Sequence, residues 1–314
     1  MAGGSETLAG LVRAELARPA PQAAACIADA IRDALGPACA SVLFYGSCLR
    51  KDTAEGVLDF YAVVDDYSAA GLPRWSHWLP PSVLWIECTA PDASPLRSKY
   101  AVVTADDFAR GVAPGGYRTG FWARFCQPAL AAWQRDPAAL DDLVRVCEQA
   151  VLTAVAAIAP LLDGPADPER FWQRAFSETY RREMRSESPG SISSIYNAAP
   201  KRFAVVLRAA LDELERNAGL PVKWDGARFE LALPTRERNA RRNGWNRRRP
   251  LAKAVYVAQL LKTALLQTDW LPYALWKVER HSGIPIPYTE RQRRHPFIYG
   301  WPLLFQVLRN RQLR

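Results

Sequence analysis

The chain has 314 residues, 49% of them apolar, enough for one large domain or two ordinary ones and inconsistent with global disorder. A formal net charge of +9 points to polyanionic partners: nucleic acid, nucleotide phosphates or an anionic membrane surface. Six scattered cysteines with no C-x-x-C pair, and three histidines, argue against a zinc site, so each cysteine reads as a small core residue.

The first 22 residues lack a long apolar core and carry acidic side chains, so they read as neither a secretory signal nor a transit peptide. Apolar residues then recur at helical spacing over 5–17 and 22–35. Four strands follow: "SVLFY" at 41–45, "VLDFYAVVD" at 57–65, "SVLWIEC" at 82–88 and "SKYAVVT" at 98–104. Thr104-Ala-Asp-Asp107 has the form of a capping box opening a helix. Beyond residue 120 the signal turns helical, over 139–159, 170–187, 202–216 and 251–266, with a small hairpin at 222–234 around Asp225-Gly226. Two arginine-rich patches close the sequence, at 236–249 and 290–296. No apolar stretch reads as long enough to span a bilayer, and the thiols are expected to be reduced, in a cytoplasmic setting.

The chemistry concentrates in "FYGSCLRKDTAEGVLDFYAVVDD", residues 44–66. Glycine after a strand permits a tight turn and close approach to a ligand. The next residue, Ser47, offers a hydroxyl and a backbone N–H to a phosphate. Asp59, a carboxylate inside an apolar strand, can hold Mg²⁺ against that phosphate. Arg50 and Lys51 follow the Gly-Ser pair and would neutralise phosphate.

Gly-Ser followed at this spacing by an apolar-flanked acid resembles the DNA-polymerase-β-like nucleotidyltransferase superfamily. More narrowly, "YGSCLR…LDFYAVVDD" resembles the mitochondrial-type, peripheral phosphatidate cytidylyltransferases, the CDP-diacylglycerol synthases. "SKYAVVTADDF", "FWARFCQPALAAW" and "TYRREMRSE" continue the resemblance, which covers roughly residues 41–210. With the element order above it implies an α+β fold, and that order divides the chain into a nucleotidyltransferase-like mixed sheet with helices over 1–125 and a helical, basic part over 126–314. The resemblance implies Mg²⁺ as cofactor, CTP and phosphatidate as substrates, and peripheral attachment to the inner face of a membrane. Gly46, Ser47, Lys99, Lys201 and Arg202 are expected to bind nucleotide, and Asp59 to hold the metal.

The superfamily pairs two acids one residue apart, and here the second place is Tyr61. Asp65 is on the same strand face but about 20 Å along it, too far to share an ion. The second carboxylate is therefore expected from Glu87, inside the third strand, or Glu183, in the Tyr-x-x-acid-x-Arg segment. Two other readings stand beside this one: a nucleotidyltransferase acting on RNA or a small molecule, and an inactive fold that only binds lipid or nucleic acid. For a lipid substrate, the apolar, arginine-flanked stretch 295–314 either docks on the membrane or packs on the protein core, in which case the arginines of 236–249 are the expected docking surface.

Overall fold

Strands β1 (Cys39–Tyr45), β2 (Val57–Val64), β3 (Ser82–Thr89), β4 (Pro95–Thr104) and β5 (Ala129–Gln134) pair into one mixed sheet of order β3-β4-β2-β1-β5. β2 runs parallel to β4, and the other three pairings are antiparallel. This computed structural model describes residues 7–183 and 189–266, together with 271, 275, 286–294, 299, 300, 302 and 303.

Strand alternation sorts β2 between two cores. Leu58, Phe60, Ala62 and Val64 face helix α2 (Gln22–Leu35), where Ile27 and Ile31 are fully buried. Tyr61 and Val63 face the other way, into a layer built from α1 (Leu8–Leu16), α4 (Ala105–Val112), α5 (Thr119–Phe125), α6 (Pro137–Ile158), α7 (Pro168–Arg182) and α9 (Pro200–Ala218). Asp59, two residues before Tyr61, lies on this second face.

The fold is α+β, as the sequence implies, and the four predicted strands are all present. Thr104 caps α4 by accepting from the Asp107 N–H at 3.3 Å. The hairpin is β6 (Val222–Asp225) with β7 (Arg228–Leu231), turning through Gly226-Ala227, one residue later than expected; Gly226 supplies the positive φ of +58°. Four further elements have no clear sequence signal, among them α8 (Pro189–Asn197). β5, "ALAAWQ", is alanine-rich and owes its strand state to pairing with β1. α5 has only seven residues. α10 (Thr235–Arg247), the first arginine-rich patch, has no buried residue. Side-chain bonds pin α10: Arg242 to Asp163 at 2.6 Å, and Trp245 Nε1 donating to Glu178 at 3.0 Å.

The chain divides by compactness after Gln259, not at 125/126: β5 completes the sheet, and α6, α7 and α9 share the core of Tyr61. Beyond Leu260, the described apolar residues Leu271, Leu275, Ile286 and Leu303 cluster together. Most of the expected docking stretch 295–314 is outside the described residues. Contrary to the sequence expectation, one helical segment, Pro137–Leu161, is long and apolar enough to cross a membrane. Two-thirds of its most apolar window is buried, because it is the central core helix packed on α1, α4, α5 and α9. Cys39, Cys48, Cys126 and Cys147 are buried free thiols, and burial pushes Cys126 up to about 12.

Candidate active site

β1 ends at Tyr45, which pairs across the sheet with Asp59. The next residue, Gly46, has φ +95°, a conformation that side-chain-bearing residues rarely adopt. A Cβ here would be 2.9 Å from Asp59 Oδ2. The Gly-Ser turn and the strand acid are thus in direct van der Waals contact, and Ser47 is exposed beside them at the start of the short helix α3 (Ser47–Lys51).

The sheet surrounds Asp59 with no second acid. Tyr45 stands across β1, Lys99 across β4 and Tyr61 along the strand. Lys99 Nζ is 2.9 Å from Asp59 Oδ1, so the predicted phosphate ligand and the predicted metal ligand form an ion pair. Tyr61 is a core aromatic, with ring centroids of Phe125, Phe108, Tyr45 and Phe121 at 4.9, 5.6, 5.6 and 5.9 Å. A carboxylate in that place would be buried among rings at a cost of several kcal/mol.

Glu183, the residue that ends α7, is buried on the same face. Its Oε1 is 3.5 Å from Arg124 Nη1 on α5. Arg124 also donates to the Gly120 carbonyl, and a Cβ on Gly120 would collide with both Glu183 and Arg124. Burial alone would lower the Arg124 pKa; Glu183, with Tyr61 and Tyr45, overrides it and holds the guanidinium well above its ordinary value. Burial raises the Tyr61 phenol, Arg124 and Arg118 oppose this, and Glu183 and Asp59 add to it. Both predicted carboxylates therefore act on one phenol.

Glu87 is not brought to this place. It is exposed on the outer strand β3 and pairs with Arg97 at 3.1 Å. Two strand spacings and two residues put it about 12 Å from Asp59. Lys201 is exposed at the start of α9. Arg202 serves the fold: it donates to both Glu15 carboxylate oxygens, at 2.8 and 3.1 Å, and to the Cys126 carbonyl at 2.5 Å. Arg202→Gln is accordingly expected to cost about 2–3 kcal/mol in chemical denaturation while leaving nucleotide affinity in the folded fraction unchanged.

Arg118, Gly120 and Arg124 had no site reading in the sequence. Their signal is the glycine-rich run "PGGYRTG", 114–120, ahead of "FWARF". A separate cavity of about 300 Å³ lies at the far end of β2, between Val64, Asp65, Asp106, Arg135, Asp136 and Asp142. Its lining is acidic and remote from Asp59, which does not suit phosphate.

Among the described residues no group of three or more His, Cys, Asp or Glu is placed to hold a metal. The donors at hand are all oxygen: the carboxylates of Asp59 and Glu183 and the Ser47 hydroxyl. That set suits a hard cation such as Mg²⁺, which takes one or two carboxylates and completes its shell from phosphate and water. No protein-family model and no curated protein matches the chain.

Proposed function

We propose that the chain is a nucleotidyltransferase that moves CMP from CTP to the phosphate of phosphatidate, yielding CDP-diacylglycerol and pyrophosphate. The reaction would take place at the cytoplasmic face of an anionic membrane. The observation that supports this reading is the contact of the Gly46 turn with Asp59, which would set a phosphate cradle beside a metal-binding acid. The family resemblance supplies the nucleotide and the acceptor.

In this reaction an acceptor phosphate oxygen forms a bond to the α-phosphorus of CTP. The bond to the bridging oxygen of the β-phosphate breaks, and pyrophosphate leaves with that electron pair. Gly46 and Ser47 bind the triphosphate through backbone N–H and hydroxyl donors. Asp59 and Glu183 are the residues that would hold Mg²⁺, which when bound neutralises phosphate charge. Lys99 is positioned to turn from Asp59 to a phosphate oxygen. No covalent enzyme intermediate is required.

The Lys99–Asp59 pair and the aromatic Tyr61 favour a second reading, an inactive fold that binds polyanions without transfer. Incubating purified protein with each radiolabelled NTP, with phosphatidate vesicles, with RNA, or alone, separates the two. Label moving from CTP alone into vesicle lipid supports the first reading; no transfer to any acceptor supports the second.

The two candidate acids separate in the same assay. Glu183→Gln is expected to lower transfer at least tenfold and to cost about 2 kcal/mol of stability, because it strips the half-buried Arg124 of its buried counter-charge. Glu87→Gln is expected to stay within twofold of the parent. The reverse order would remove Glu183 from the site.

A further inference from the structure

Arg118 is a cation with no ion-pair partner among the described residues. It sits at the end of the exposed loop 113–117, where α5 begins. Its guanidinium carbon lies 4.7 Å from the centre of the Phe121 ring, and Phe121 packs on Tyr61 and Phe108. Among the described residues it has no ion pair and no hydrogen bond. The nearby carboxylate of Asp107 is engaged by Arg110 at 2.7 Å and by the Tyr67 hydroxyl, also at 2.7 Å. Burial holds the Arg118 pKa below its ordinary value, against the opposing pull of Tyr61, Asp107 and Tyr67.

The next residue repeats the pattern. Thr119 is 2% exposed, and its hydroxyl has no hydrogen-bond partner among the described residues. A guanidinium stacked on a ring keeps its N–H edge free for a planar or tetrahedral oxyanion. Buried polar groups are ordinarily satisfied, so the orphan Thr119 hydroxyl, next to a half-buried guanidinium with no ion-pair partner among the described residues, points to a missing anion. The remaining charges on this face are already matched, Lys99 with Asp59 and Arg124 with Glu183. Arg118 is thus a surplus positive charge on this face, and its ring partner Phe121 packs against Tyr61 at 5.9 Å between centroids.

We propose that Arg118, with Thr119, forms a second anion site that binds the phosphomonoester group of the acceptor, apart from the Gly46-Ser47 cradle for the donor triphosphate. This rests on the transfer reaction proposed above for the role of the bound group, but not for the binding itself. The shared chemistry is a terminal phosphate, whether on a soluble ester or on a lipid.

The test measures binding to the full-length protein by calorimetry, using inorganic phosphate, glycerol 3-phosphate, short-chain dihexanoyl phosphatidate and CTP as separate probes. Arg118→Ala is expected to weaken binding of the phosphomonoesters at least tenfold and to leave CTP within twofold. Arg118→Lys should recover part of the loss, and Arg236→Ala, an exposed control on α10, should change nothing. Phosphatidate binding more tightly than glycerol 3-phosphate identifies the lipid as the source; equal affinities identify a soluble ester. The proposal is overturned if the parent binds no phosphomonoester, if Arg118→Ala leaves that binding intact, or if the substitution weakens CTP equally. Binding through Arg118 without any nucleotidyl transfer would sink the reaction and keep the site. Transfer with an unaltered acceptor KM in Arg118→Ala would do the opposite.

Discussion

Asp59→Asn is expected to abolish the proposed transfer while leaving the fold almost untouched. The substitution keeps the shape that contacts Gly46 and removes only the charge. Its loss as a metal and phosphate-site ligand should forfeit about 3–4 kcal/mol of transition-state stabilisation, a rate loss of a few hundredfold. The stability change should be no more than about 1 kcal/mol, because the Asp59 and Lys99 side chains are 22% and 38% exposed and such pairs contribute little. Transfer rates and urea denaturation on the same preparation check both halves. Near-normal transfer by a folded Asp59→Asn chain would remove Asp59 from the chemistry.

Gly46→Val should damage both fold and function. A side chain at φ +95° carries strain of about 1–3 kcal/mol, and its Cβ would stand 2.9 Å from Asp59 Oδ2. The carboxylate must then move, so transfer should fall at least a hundredfold in the fraction that folds. Gly56→Val is the matched control. Gly56 has φ +109°, but a Cβ there meets nothing within 4 Å. It should show the backbone strain without the loss of transfer. Equal rates in the two variants would mean that the turn and the acid do not work together.

How much of this was legible depends on how far apart the cooperating residues lie. Gly46 and Asp59 are thirteen positions apart on consecutive paired strands, so strand reading alone places them side by side. Glu183 and Arg124 are 59 positions apart, and their contact depends on α5 packing against α7. Arg202 illustrates the limit more sharply. A cation at a helix start looks the same in sequence whether it awaits a phosphate or, as here, bonds Glu15 across 187 positions. Arg118 is illegible for the converse reason, since a lone arginine in a glycine-rich loop has no periodicity to mark it. α10 escaped because its place is fixed by hydrogen bonds and not by an apolar stripe, leaving hydrophobic spacing nothing to report.

The ion pair between Lys99 and Asp59 makes ligand entry an exchange instead of an addition. A cation that takes both Asp59 oxygens displaces the ammonium that lies 2.9 Å from Oδ1. Displacement by a cation alone would leave Lys99 beside the newcomer with no counter-charge, and the like charges would oppose it. A polyphosphate travelling with its cation resolves both sides at once, because its oxygens receive the released ammonium. The resting site would therefore discriminate by stoichiometry of charge: it would stay shut to free divalent ions and open to the complex that brings anion and cation together.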